Sequence, residues 1–277
     1  MNRRLCYLLV LAATSLVACR GNEITATSPS IAGLQQPSLD KLAGNAKKPG
    51  KPSVVTASCD ITTALADYRA RLGTLNSNVV GEQPGGRREI NWDAVPALNT
   101  NNNTFPANFF NQPVTGRARG VVFSTNGSGF RVSDNDFFDI NPDYADEFNA
   151  FSPIRTFAAV ESNRTDVQFF VAGGNTSALS SGFGVVFSDV DKKGSAQIKL
   201  IGANGHSLGD FQAPACPGGF SFVGVAFDTQ VIARVEIKSG KGALGANSDD
   251  VSDRNHGPAR DLVVMDDFIY GEPRALP

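Results

Sequence analysis

The sequence predicts an all-β fold, an antiparallel sandwich preceded by one short helix and a disordered N-terminal tether, and three observations predict it. After Gly73 the chain breaks into short runs rich in Val, Phe and Ile, separated by Gly, Asn, Asp and Pro. No helical period is sustained beyond that point. The 19 phenylalanines supply enough apolar bulk to fill the space between two sheets.

The elements follow in order. Residues 1–18 read as a signal peptide, with Arg3 and Arg4 as its positive start and Leu5 to Leu16 as its apolar run. That run is too short to cross a bilayer, which takes roughly 20 apolar residues. Leu16-Val17-Ala18-Cys19 resembles the bacterial lipobox, which makes Cys19 the expected site of lipidation; ordinary cleavage at a nearby small residue is the alternative. The expected location is the bacterial cell envelope, periplasmic or outer surface, with membrane contact through the lipid anchor only. Residues 19–58 are rich in Ser, Thr, Ala, Pro, Gly and Lys without a sustained period and are expected to be a disordered tether. From 60 to 73 a short amphipathic helix is expected. Asp60 is its N-cap candidate and Gly73 its stop, and Ile61, Leu65, Tyr68 and Leu72 form one apolar face.

Ten strands are expected in the domain 59–277: 88–91, 120–124, 129–133, 155–157, 166–171, 182–188, 196–201, 220–227, 233–238 and 262–269. Their number and spacing suit a sandwich of jelly-roll type. The strands 166–171 and 182–188 flank a Gly-Gly-Asn connection and are expected to pair. Gly202-Ala-Asn-Gly205 is expected to turn the strand 196–201 into a shorter partner. Along 196–201, Gln197 and Lys199 face water while Ile198 and Leu200 face inward.

Composition limits the function. The formal charge is −2, and losing Arg3 and Arg4 with the signal makes it −4. No basic patch is present for nucleic acid. Of four cysteines, Cys6 lies in the signal and Cys19 is taken by lipid. Cys59 and Cys216 then form the expected disulfide of an exported protein, with two separate thiols as the alternative.

Several segments resemble an uncharacterised family of secreted bacterial proteins, some of which carry a C-terminal PEP-CTERM sorting signal. They are Gly86-Arg-Arg-Glu-Ile-Asn-Trp-Asp93, Phe105-Pro-Ala-Asn-Phe-Phe110, Arg119-Gly-Val-Val-Phe-Ser124, Phe183-Gly-Val-Val-Phe-Ser-Asp-Val-Asp191 and Val264-Met-Asp-Asp-Phe-Ile-Tyr-Gly-Glu272. The family carries no activity to transfer. Leu262-Val-Val-Met-Asp-Asp-Phe-Ile-Tyr270 also resembles the last strand of jelly-roll carbohydrate-binding and galactose-binding-like modules. That resemblance implies a structural calcium held by an Asp of this strand and an acidic residue of an early strand.

Glu89 and Asp93 are the early-strand candidates, and Asp266 and Asp267 the late ones. Strand alternation is expected to put Asp266 and Asp267 on opposite faces. Pairing of these acids with Arg87, Arg88 or Arg260 is the competing reading. Asp189-Val-Asp191 resembles half of a calcium loop, but no Glu closes it at EF-hand spacing, so it is read as a hairpin with solvated tips. Trp92 with Asn91 is a candidate ligand-binding pair, the indole stacking on a sugar face; a core tryptophan is the alternative. His206 and His256 lie in no metal-ligand pattern, and no Gly-x-Ser-x-Gly elbow is present. The expectation is therefore a non-enzymatic binding module for carbohydrate or another envelope polymer. A structural or adhesive surface protein is the alternative, and a glycan hydrolase or esterase the third reading.

Overall fold

The structure is a computed structural model that describes residues 50–252 and 260–276. The expected signal peptide, Cys19, most of the tether and His256 lie outside the described residues. Among the described residues fourteen strands and one α-helix follow in order: β1 Ser53–Ser58, α1 Thr62–Leu72, β2 Arg87–Ile90, β3 Val121–Ser124, β4 Gly129–Ser133, β5 Thr156–Val160, β6 Arg164–Phe169, β7 Ala178–Leu179, β8 Gly182–Val190, β9 Gln197–Gly202, β10 Ser207–Gln212, β11 Cys216–Ala226, β12 Ile232–Lys238, β13 Val264–Gly271 and β14 Arg274–Ala275.

These strands form an antiparallel β-sandwich of jelly-roll-like character, in which the chain passes repeatedly from one sheet to the other. The first sheet has seven strands in the order β1-β11-β8-β13-β5-β4, with β2 also on β13. The second has five, in the order β10-β9-β12-β6-β3, and β14 and β7 make a small ribbon. Alternate residues of facing strands meet between the sheets: Phe183, Val185 and Phe187 of β8 and Phe268 and Tyr270 of β13 against Phe123, Val167, Phe169, Ile198, Leu200 and Val235. The expected wet face of β9 is present, since Ile198 and Leu200 are buried while Gln197 and Lys199 are not.

The outer face of the seven-stranded sheet is covered too. Ile61, Leu65, Tyr68 and Leu72 of α1 lie on Val186, Phe222, Ala226 and Ile269. All nine residues of β8 are consequently buried. Tyr68 reaches the sheet because Gly184 and Gly224 leave room for its ring; a Cβ at either would stand 2.7 Å from it. The phenol then donates to Val225 O at 3.0 Å. Asp60 lies just outside the helix and accepts from Thr62 N at 3.0 Å.

Three expectations are corrected. The stretch to residue 58 is not all tether, because Ser53 to Ser58 pairs with Ala226 to Ser221 as the edge strand β1. The strands 166–171 and 182–188 do not pair: β6 joins β3 and β12, whereas β8 joins β11 and β13. Their Gly-rich connection crosses between sheets, which lets both strands turn apolar sides to one core. Asp189 is not a solvated hairpin tip, because β8 and β9 lie in different sheets and Asp189 is 1% exposed.

Two covalent and ionic ties close the domain. Cys59 and Cys216 form the expected disulfide, with Cα atoms 5.5 Å apart. It sits at the end of β1, where Cys59 N donates to Phe220 O at 2.8 Å. Arg88 and Glu272 form an ion pair with both side chains fully buried, at 2.6 Å. The segments bearing them are neighbours, since β2 runs antiparallel to the end of β13 with Ile90 opposite Phe268 and Arg87 opposite Gly271.

Candidate functional site

The residues singled out in the sequence gather at one end of β13. Between Met265 and Phe268, three steps of β13 oppose two of β8, from Phe187 to Val185. This bulge inserts one residue and cancels the alternation. Asp266 and Asp267 therefore do not point apart as expected: Ser152 Oγ lies 3.0 Å from Asp266 Oδ1 and 2.7 Å from Asp267 Oδ1. Asp93 lies near the same serine and accepts from Arg155 N at 3.2 Å. Glu89 joins through Arg69, whose Nη2 stands 2.8 Å from Glu89 and 3.1 Å from Asp267. Arg87 adds a contact of 2.6 Å to Glu89.

This arrangement does not fit calcium. A calcium cage needs six to eight oxygens free to turn toward the ion. Here two guanidinium groups already neutralise Glu89 and Asp267, which leaves neither carboxylate free for a cation, and Phe151 N and Ser152 N donate to Asp266 Oδ2 at 2.6 and 3.2 Å. The competing reading, pairing with arginine, describes Glu89 and Asp267, with Arg69 as a partner the sequence did not indicate.

The charges still leave a signature. Burial, and then the Asp267 carboxylate beside it, pushes Asp266 up to about 8. Burial pushes Glu89 up as well, but Arg69 and Arg87 together bring it below its usual value. A carboxyl whose pKa is raised on folding binds its proton in the native state where the unfolded chain has released it. Its contribution therefore falls as pH rises from about 4 to about 8. Asp266→Asn, which keeps an acceptor for Phe151 N and carries no charge, is expected to remove most of that decline, about 3–4 kcal/mol between pH 5 and pH 8. Denaturant melts at pH 5 and pH 8 measure it; an unchanged difference between the two would place the proton elsewhere than on Asp266.

The candidate pair Asn91 and Trp92 separates. Trp92 is 1% exposed and stacks on Phe157 with ring centroids 3.9 Å apart, while its Nε1 donates to Asp266 O at 2.9 Å. Its indole is enclosed by the core and offers no face to a sugar, so the expectation of a ligand-stacking tryptophan is corrected. Asn91 stays exposed, with its carbonyl 3.3 Å from Ser152 Oγ.

A surface that no motif singled out lies on the outside of the five-stranded sheet. There β6, β9, β10 and β12 form an open groove of about 370 Å3 lined by Asn163, Arg164, Gln197, Lys199, Asp210 and Glu236, with Lys238 at one end. Alternation puts these polar residues outward because Val167, Ile198, Val235 and Ile237 face the core. Glu236 lies 2.8 Å from Arg234, 3.6 Å from Arg164 and 3.8 Å from Lys199, so fixed donors and acceptors alternate across the groove. Partial burial, then Lys241 and Arg164 nearby, lowers the pKa of Lys238. The wet alternation of β9 was the one sequence signal of this face.

Among the described residues no helix is long and apolar enough to cross a membrane. No protein-family profile, no curated protein and no solved structure matches the chain.

Proposed function

We propose that this chain is a non-enzymatic binding module of the bacterial cell envelope, held by lipid at Cys19, and that the groove on its five-stranded sheet receives carbohydrate or a similar polyhydroxylated envelope polymer. The observation that carries this reading is the lining itself. Side-chain amides and charged heads of both signs, fixed on adjacent strands, match hydroxyls that both donate and accept. The nearly balanced charge of the lining argues for a neutral or weakly acidic polymer. It argues against a strongly charged one, for which a patch of one sign is needed. With the indole of Trp92 enclosed in the core, recognition rests on hydrogen bonds in place of stacking.

A glycan array probed with the full-length chain in detergent tests the proposal. Binding to at least one glycan class is expected, with a loss of about tenfold or more in the double variant Asn163→Ala, Gln197→Ala, since each removed hydrogen bond to a neutral ligand is worth about 1 kcal/mol. An array without signal rejects carbohydrate and leaves the alternative of an adhesive surface that docks protein. Signal that the double variant retains moves the ligand away from this groove.

A further inference from the structure

The strongest cluster of unused chemistry lies away from the groove and from the Asp266 bulge. Three segments build it. Phe137, Tyr144 and Phe148 pack with Leu244, Leu262 and Val264 on the outer face of the seven-stranded sheet. Tyr144 Oη then stands 3.1 Å from Gly245 O and 2.7 Å from Ser248 O, which fixes the loop carrying Asp250 beside the loop carrying Glu147. The end of β8 brings Asp189 underneath. Ligand-capable oxygens of Glu147, Asp189 and Asp250 lie within 4.8 Å of one another.

We propose that Glu147, Asp189 and Asp250 bind one calcium ion, a site distinct from the acids of β2 and β13. A separation of at most 4.8 Å suits oxygens arranged about one centre at roughly 2.4 Å, the calcium distance, since two opposite ligands are then about 4.8 Å apart. Magnesium, at about 2.0–2.1 Å, demands a tighter octahedron, and zinc prefers His and Cys, which the cluster lacks.

A second observation, independent of the spacing, points to a cation. Asp189 is 1% exposed; its Oδ1 accepts from Gly218 N at 2.7 Å, but no donor reaches its Oδ2. The Asp189 carboxyl instead lies against that of Glu147. Asp191, also with a buried Oδ2 lacking a donor, lies against Asp250. Asp250 is 2% exposed and Asp261, nearby, 1%. Among the described residues none of these five acids makes an ion pair, in contrast to Glu89 and Asp267. Buried charges are ordinarily paired or bound to metal. Burial and the Glu147 carboxyl push Asp189 up to about 9, and burial and Asp250 push Asp191 up to about 7, as expected of carboxylates gathered without a counter-charge. Ser252 Oγ, 2.5 Å from Glu147 Oε1 and 2.9 Å from Asp250 Oδ2, supplies a further oxygen, and water completes the shell; Leu262 N and Ser252 N, donating to Asp250 at 2.6 and 2.7 Å, hold its carboxylate in place, and Asp191 adds negative charge from outside the three-residue group.

The test is isothermal titration of calcium into the full-length chain in detergent after stripping with chelator, with thermal melts in parallel. One site of about micromolar affinity is expected, together with a rise of about 5–10 °C in Tm at about 1 mM calcium. Magnesium is expected to bind at least about tenfold more weakly. Glu147→Gln, whose side chain is only partly buried, is expected to weaken calcium at least about tenfold, and Asp189→Asn about a hundredfold, while the melt in chelator stays as high as in the parent. Asp266→Asn is expected to leave calcium binding unchanged. No heat and no shift in Tm in the parent chain overturns the site, as does binding that survives Glu147→Gln and Asp189→Asn but is lost in Asp266→Asn. Equal affinity for magnesium overturns the assignment to calcium.

Discussion

Glu272→Gln is expected to destabilise the domain by about 3–5 kcal/mol, because it strands a buried guanidinium. Arg88 Nε stands 2.6 Å from Glu272 Oε2 and its Nη2 2.8 Å from Oε1, a two-pronged pair with no access to water. The remaining hydrogen-bonding capacity is used as well. Arg88 Nη1 donates to Ala118 O at 2.5 Å, and Glu272 accepts from Asn76 Nδ2 at 2.8 Å and Gln83 N at 3.1 Å. Three stretches of chain distant in sequence, 76–88, 118 and 272, are thereby held to one charge pair. Arg88→Met leaves the carboxylate equally exposed to an apolar interior and is expected to cost a similar amount. The double variant Arg88→Met, Glu272→Leu is expected to cost clearly less than the sum of the two, since neither charge is then left alone. Urea denaturation of the three variants gives the cycle. Additive costs would mean that the pair does not act as one unit.

The second large effect is expected at the disulfide. Cys59 and Cys216 are 157 residues apart, so the bond removes a large loop from the unfolded ensemble, worth about 5 kcal/mol in the chain-entropy treatment. Replacing both by Ser is expected to lower stability by about 3–5 kcal/mol and to make the Tm indifferent to reductant. A double-serine variant that melts with the parent would show that the β1 to β11 pairing suffices without the bond.

The fold was largely legible in the sequence because its signals are local. All ten expected strands are present, and Ile61, Leu65, Tyr68 and Leu72 face the sheet as their spacing predicted. Strand β1 was missed because Ser53-Val-Val-Thr-Ala-Ser58 follows a Lys- and Pro-rich stretch and its Val54 remains half-exposed, which weakens the apolar signal. The bulge at Asp266 left no trace in sequence, since only the pairing with β8 reveals the inserted residue. The motif Asp189-Val-Asp191 was noticed, but its partners Glu147 and Asp250 come from loops some 40 and 60 residues away that meet only through the packing of Tyr144. Spacing rules such as that of the EF-hand describe ligands on one loop and are blind to three. Trp92 was ambiguous for a similar reason, because its neighbours in sequence are polar while its neighbours in space are Phe105, Phe110, Phe123, Phe157 and Phe268.

Strand β1 has a mechanical consequence. It is the edge of its sheet and the point where a pull on the preceding chain enters the folded body. Such a pull can peel only the six residues from Ser53 to Ser58 before the load reaches the covalent bond at Cys59. From there the force divides between the chain running into α1 and the bond to Cys216, which opens β11, still paired with β8. A pull on the chain ahead of β1 thus meets a short yielding segment backed by a covalent stop.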